Sequence, residues 1–404
     1  MTKGDGLAAL DSTEAFLRGV RPAAAVTDAV SRRQYLHAGP PVDLQDLAAP
    51  MRGAVVAALL FEGEASTPEE AEAIIDAGDL SLRPCHEVGG VGAAAGVVSP
   101  GIPVAVVESG DGRTAFAPLH EGTGPSVRYG AFGPGTLDNL RWLAGELATA
   151  LDAAIAESGQ IELTALQAEG LRRGDECHNR SVASSAALTL QLAPAIVAVR
   201  GSAACVLLKV LAENGQFFLS FSMAAAKVVG DAAHAIGRKG MVTAIAANGR
   251  QVGIRVSGAG DRWFLANAPF GRPRILDGFR PEDASALMGD SFATEVIGLG
   301  AMAASAAPAI SSFLGTDPLQ AVHDVAEMRR ITLATSTRFL VPQERFAGTP
   351  LGIDVHKVRD TGIAPLVHGG FAHREAGIGM VGAGQVRLPI GPFEDAAAFL
   401  DKQQ

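Results

Sequence analysis

Residues 172–180, RRGDECHNR, put five formal charges, a cysteine, a histidine and an asparagine into nine positions of a chain that is 19% charged. Such a set admits a metal site, an acid/base cluster, or the polar start of a helix. Groups that act together from one helix face must stand three or four residues apart, a test that Asp175 and His178 meet. Glu176 and Arg180 are also four apart and suit an ordinary ion pair, while Asp175 after Gly174 suits an N-cap that would place Glu176, Cys177 and His178 in the first helical turn. The local spacing therefore leaves all three readings open.

Other segments carry cations among glycines, where backbone N–H groups can approach an anion closely and a guanidinium can grip carboxylate or phosphate with two hydrogen bonds. These are Arg128 in SVRYGAFGPG, Arg255 in GIRVSGAG, and His373 with Arg374 in HGGFAHREAGIG. RPCHEVGG sets Cys85 beside His86, but a thiol nucleophile needs its histidine adjacent in space, which adjacency in sequence does not guarantee. Lys227 and Asp231 have the spacing of a helical ion pair, and GDSFATE, residues 289–295, reads as a helix start capped by Asp290 or Ser291. GIGMVG, residues 377–382, matches GxGxxG, but QVRLPIGP follows it as a strand and turn where a dinucleotide site requires a helix. EVGGVGAAAG at 87–96 is a second near miss, and the chain has no Walker A lysine motif. Neither a bound cofactor nor a metal ion is expected.

The elements that must position these residues follow from apolar periodicity and turn residues. GAVVAALLF, residues 53–61, reads as a buried strand, followed by a helix with Thr67 as N-cap, Pro68 in its first turn and Glu70 completing a capping box. A second buried strand ends near Ser109. From Thr136 the leucines at helical spacing predict a helical segment as far as Pro194. Strands are expected again in IVAVR, QFFLSFS, MVTAIAA and QVGIRVS, with Asn248-Gly249 as the hairpin turn between the last two. A helix over 223–237, a long small-residue helix near 292–313 and a charged amphipathic one near 317–334 complete the reading. The fold class is α+β: an N-terminal α/β domain over 1–135, a small inserted helical subdomain over 136–193, and a C-terminal α+β domain over 194–404.

A chain of 404 residues with 48% hydrophobic residues can bury a sizeable core and carry two or three domains. Its 33 basic and 43 acidic residues give a net charge of −10, and without a Lys/Arg-rich block a nucleic-acid surface is not expected. The cysteines, Cys85, Cys177 and Cys205, are odd in number and scattered, which speaks against a disulfide framework and for a reducing cytoplasm. The opening MTKGDGLAALDSTEAFLRGV carries acids early and has no apolar core of a signal peptide. Residues 181–199 and 296–316 lack Asp, Glu and Lys but are built largely of Ala, Ser and Gly, too weakly apolar to favour lipid, so no membrane span is expected.

Read together, HAGPP, MRGAVVAALLFEG, RPCH, EGTGPSVRYGA, GDECHNR, FFLSFSMAAAK, NGRQVGIRVSG, GDSFATE, GTPLGIDVHKV and GIGMVGAG resemble the YlbE-like, AllG-type family over nearly all of the chain, from about Arg21 to Phe399. The chain departs from the family pattern after RPCH, at His120, where an asparagine is common, and in HGGFAHR. The resemblance implies a mixed α and β fold with a small helical domain, and a catabolic carbamoyltransferase component working with an FdrA-like chain and other subunits as an oligomer. Its reaction would convert oxalurate and phosphate into oxamate and carbamoyl phosphate.

Such phosphorolysis needs phosphate positioned against a ureido carbonyl, stabilisation of the developing oxyanion, and a proton for the leaving amide nitrogen. Arg128 and Arg255 are the expected anion clamps, with His86 and His178 competing as proton donor and Glu176 and Arg180 completing the catalytic set. Asp175, Asn179, Lys227, Asn248, Asp290 and His373 are expected to bind substrate with Arg255. STRFL at 336–340 lacks the final elements of the phosphate loop of aspartate- and ornithine-type transcarbamylases. Three readings stand: a catalytic component, a scaffold whose partners hold the chemistry, and a metal-dependent amidohydrolase.

Overall fold

The computed structural model describes residues 6–403 except 123, 237–238 and 315–316. The first residues of the N-terminal stretch, and the Gly237 at the end of the helix expected over 223–237, lie outside them. The fold is α+β, as expected: small, largely antiparallel sheets are packed between helices.

The first sheet runs Thr114–Pro118, Pro103–Ser109, Ala15–Pro22, Ile161–Glu162, and the second runs Phe264–Asn267, Gln251–Val256, Val242–Asn248, Met288–Gly289. Strands Leu366–Ala372 and Met380–Arg387 pair antiparallel, the latter also bordering Arg274–Ile275. Between these layers lies helix Leu219–Ile236, almost wholly buried because its residues are small or apolar on nearly every side. The larger buried cluster reaches from Ala9 to Leu400, and a second gathers mainly residues 23–140.

The GAVVAALLF run forms part of a helix, Ala49–Phe61, not a strand. A continuous apolar run is ambiguous between the two, and here Pro50 in the first turn and an alanine-rich sequence favour the helix. Gly53 lets this helix close on a neighbouring loop, since an added Cβ would collide with the Gly130 carbonyl. The next helix, Pro68–Asp76, begins with the expected Thr67 cap, which accepts from the Glu70 N–H at 3.2 Å, but the Glu70 carboxylate does not close a capping box and accepts instead from the Ser66 N–H at 2.7 Å.

Two other expected strands are helical. IVAVR ends helix Val182–Arg200, and most of QFFLSFS opens helix Leu219–Ile236. Pro194 does not stop its helix, which continues to Arg200. Among the described residues the helical stretch Val182–Glu213 is long and apolar enough to cross a membrane, but only by length and composition, and Gly201–Ala203 breaks it into two helices. The segment near 292–313 is likewise broken, into Ala293–Val296, a 3-10 turn Gly300–Ala306 and Pro308–Leu314, with Gly298 and Gly300 at positive φ between the first two. The expected hairpin forms, but its two turn residues are Gly249 and Arg250, with Asn248 ending the first strand, and the amphipathic helix Pro318–Arg330 forms as expected.

Candidate active site

RRGDECHNR is not a helix start. Helix Leu163–Arg172 ends on its first residue, helix Val182–Arg200 begins after it, and the residues between form a tight loop in which Cys177 takes φ +60°. The loop's two carboxylates hold its shape. Asp175 accepts from the Ser184 N–H at 2.8 Å and the Ser184 hydroxyl at 3.0 Å, capping the next helix from outside it. Glu176 accepts from the backbone N–H groups of His178, at 3.1 Å, and Arg180, at 2.7 Å. The Arg180 side chain turns back, its Nε donating to the Gly174 carbonyl at 3.1 Å.

This folding leaves His178 and Asn179 at the wall of a cleft of about 610 Å³, together with His120, Arg128, Tyr129 and Gln216. The His178 imidazole is buried and its Nδ1 lies 2.9 Å from Glu295 Oε1 and 3.1 Å from Oε2. Burial alone would hold the His178 pKa down, but the charge and hydrogen bond of Glu295, with Glu176 adding, carry it above the ordinary histidine value. Burial would likewise raise the Glu295 pKa, and the His178 imidazolium with the nearby His368 holds it below the ordinary carboxylate value. Both shifts favour the ionised pair, with Nδ1 committed to Glu295 and Nε2 left for the cleft.

Glu295 is itself fixed from several sides. It accepts from the His368 N–H at 2.9 Å, the Thr294 hydroxyl at 2.9 Å and the Ala301 N–H at 3.3 Å. Gly300, at φ +58°, makes room for it, because a Cβ there would collide with the carboxylate. His368 also brings Nδ1 to 3.6 Å from Glu176, so the loop and the strand Leu366–Ala372 meet beneath His178.

Arg128 reaches the cleft from a glycine-rich loop that Glu121 closes by accepting from the Val127 and Arg128 N–H groups at 2.7 and 3.1 Å. Its Nη2 donates to the Gly122 carbonyl at 3.1 Å, and its guanidinium lies over the Tyr129 ring, 5.1 Å from the centroid. Among the described residues Nη1 makes no hydrogen bond, its nearest acid being Glu121 Oε2 at 3.6 Å, and Nδ2 of Asn179 makes none either, while the Asn179 backbone carbonyl accepts from Gln216 Nε2. Two N–H donors without a hydrogen bond close to the His178 imidazole have the chemistry to meet a small anion. His120 offers a neutral imidazole in the same wall, its pKa pushed well below ordinary by burial and then by Arg128.

The remaining expected residues lie elsewhere. His86, Lys227, Arg255 and Asp290 gather in a second buried cluster outside the cleft lining. There the Asp290 carboxylate accepts from Gly39 N–H at 2.6 Å and Gly92 N–H at 2.9 Å, and Lys227 Nζ donates to the His86 carbonyl at 3.1 Å and to Asp231 at 2.6 Å. Asp290 is thus a bridge between loops and not the helix cap expected. Asn248 holds its own turn, accepting from Arg250 and Gln251 N–H at 2.9 and 2.7 Å, and His373 Nδ1 accepts from Glu375 N–H at 3.0 Å. Cys85 and Cys177 are buried, with burial first among the causes that raise their thiol pKa values, so neither is an activated nucleophile. Among the described residues no group of three or more His, Cys, Asp and Glu side chains is placed to hold a metal ion.

Glu295, His120 and His368 are the functional candidates that sequence reasoning passed over. GDSFATE contains Glu295, but its partner His178 is 117 residues away, and no local spacing connects them.

Comparison with known proteins agrees with this architecture. The family model described as "Oxamate carbamoyltransferase subunit AllG" matches residues 80–291. The chain is 40% identical to the protein of that name from Escherichia coli K12 over 94% of this chain and 92% of the relative, and 35% identical to the uncharacterized protein YahG of the same organism over 94% and 81%. It also matches, with a TM-score of 0.95 and 35% identity over 98% of this chain and 96% of the other, the crystal structure of a conserved protein of unknown function from Enterococcus faecalis V583. The matched fold and the near-complete identity span show that this chain belongs to the AllG family of oxamate carbamoyltransferase subunits.

Proposed function

We propose that this chain is a catalytic component of a carbamoyltransferase that acts on a small ureido acid and phosphate, with oxalurate as the reference substrate and FdrA-like and other subunits as partners. The observation that carries the reading is the buried His178–Glu295 pair at the wall of a cleft that Arg128 and Asn179 also line, with Arg128 Nη1 and Asn179 Nδ2 making no hydrogen bond among the described residues.

In this reading a phosphate oxygen attacks the ureido carbonyl carbon, the C–N bond to the oxamate nitrogen breaks, and the proton carried by hydrogen phosphate ends on that nitrogen. His178 moves the proton: its imidazolium donates through Nε2 to the leaving nitrogen and is restored from phosphate. Positioned proton transfer of this kind contributes about 10²–10⁴-fold. Arg128 and Asn179 hold the anionic oxygens, and Glu295 keeps the imidazole oriented and charged. Asp175, Glu176 and Arg180 act through the loop that places His178, not on the substrate. The experiment is phosphate-dependent oxalurate cleavage by the chain co-expressed with its partner subunits, with His178→Ala and Arg128→Ala as the variants.

A further inference from the structure

The second cluster has a chemistry of its own. Strand Gln251–Val256 turns Gln251, Gly253 and Arg255 to one face, and the antiparallel register of Phe264–Asn267 puts Leu265 opposite Gly253 and Asn267 opposite Gln251 on that same face. Trp263, one residue before the paired strand, continues the row opposite Arg255. The Arg255 guanidinium lies 5.9 Å from the Trp263 ring centroid, and the His86 ring meets the same indole edge-on at 5.7 Å.

These groups are short of partners. Arg255 Nε, Trp263 Nε1 and both ring nitrogens of His86 are buried without a hydrogen bond, and His86 and Arg255 are only 3% and 8% exposed. The His86 ring, its pKa held well below ordinary by burial and then by Lys227 and Arg255, is neutral and offers one donor and one acceptor; unmatched buried polar atoms of this kind are rare and costly, and three separate elements supply them here. The nearest internal acids do not answer them: Asp231 is taken by Lys227, and Asp290 Oδ1 stands 3.7 Å from His86 Nε2 with its oxygens committed to Gly39 and Gly92. Among the described residues the one carboxylate on the guanidinium is Asp261, bonded to Nη2, and its side chain is 97% exposed while that of Arg255 is 9% exposed. It projects from the turn carrying Gly258 and Gly260, both at positive φ. A solvent-borne carboxylate on a buried guanidinium is a removable partner.

We propose that His86, Arg255 and Trp263 form a second binding site for a small oxyanion of the phosphate or carboxylate class, distinct from the His178 cleft, in which the Asp261 carboxylate takes the place of one oxygen of the ion. Lys227, whose Nζ reaches the His86 carbonyl, adds positive charge behind the site.

The chain has two tryptophans, so Trp142→Phe leaves Trp263 as the sole indole reporter. Inorganic phosphate and oxalate are titrated separately into that full-length chain while its fluorescence is followed. A saturable change with either ion is expected, and the tighter ion identifies the class. Asp261→Asn, which removes the internal competitor from an exposed position, should tighten binding severalfold. Arg255→Gln should weaken it by about tenfold or more, the worth of one charge-assisted hydrogen bond. His178→Ala should leave this response unchanged, which separates the site from the cleft. If Arg255→Gln does not fold, the Asp261→Asn comparison decides. Absence of a saturable response, or a response indifferent to Asp261→Asn, overturns the proposal.

Discussion

Glu295→Gln isolates the interaction on which His178 depends. The substitution keeps the side-chain volume but removes the charge that faces Nδ1 at 2.9 and 3.1 Å, and it exchanges one acceptor oxygen for a donor among groups that are themselves donors. Both partners are essentially inaccessible, with side chains 2% and 0% exposed, so solvent offers little screening. Breaking a buried pair on one side costs about 3–5 kcal/mol, and urea denaturation near pH 6 should show a loss of that size. The pH dependence carries the sharper test. His178 has a raised folded pKa, so its contribution is full below the ordinary 6.5 and is lost as pH rises through the higher folded value. Glu295 has a lowered folded pKa, so its contribution is full above the ordinary 4.5 and is lost as pH falls through the lower folded value. The stability gap between the native chain and Glu295→Gln should therefore be widest between pH 4.5 and 6.5 and narrow at alkaline pH. A gap below about 1 kcal/mol, or one that stays constant from pH 6 to 9, would refute the ion-pair reasoning.

Gly300→Ala should lower the thermal midpoint by several degrees, since it adds a Cβ at φ +58° against the Glu295 carboxylate, and a cost of about 2 kcal/mol or more is expected. Asp290 is pushed up to about 7 by burial against the hydrogen bonds from Gly39 and Gly92, so its ionisation removes stability as pH rises from 3.8 toward 7; Asp290→Asn should flatten that part of the stability profile, measured by denaturant midpoints. A thiol reagent on the native protein should titrate Cys205, which is exposed, and spare Cys85 and Cys177 until denaturant is added.

What the sequence made legible depended on whether the deciding interaction was local. The Thr67 cap, the hairpin after Asn248 and the amphipathic helix Pro318–Arg330 are set by residues within a few positions of one another, and they form, the hairpin turn lying one residue beyond its expected place. The helix Ala49–Phe61 carries the pattern of a buried strand because its burial on nearly every side erases the periodicity that would distinguish the two. In RRGDECHNR the density of polar groups signalled a structured turn, but which of them faces the cleft is decided by backbone bonds. Asp175 and Glu176 are consumed inside the loop, which leaves His178 and Asn179 to line the cleft. Arg128 could be chosen from its glycine-rich setting, while Glu295 could not, because what makes it special is a histidine far away in the chain. The assumption of one shared site was the larger simplification: His86 and Arg255 share their surroundings with Trp263, not with His178.

The central claim is tested most directly by the rate of phosphate-dependent oxalurate cleavage when this chain, native or His178→Ala, is assembled with its partner subunits. A fall of about 10²-fold or more in kcat, with the variant still folded and still assembling, is the result expected of a proton-transfer residue. Arg128→Ala in the same assay should weaken phosphate or oxalurate binding as well as turnover. Full activity in both variants would contradict the account and leave the chemistry to the partner chains.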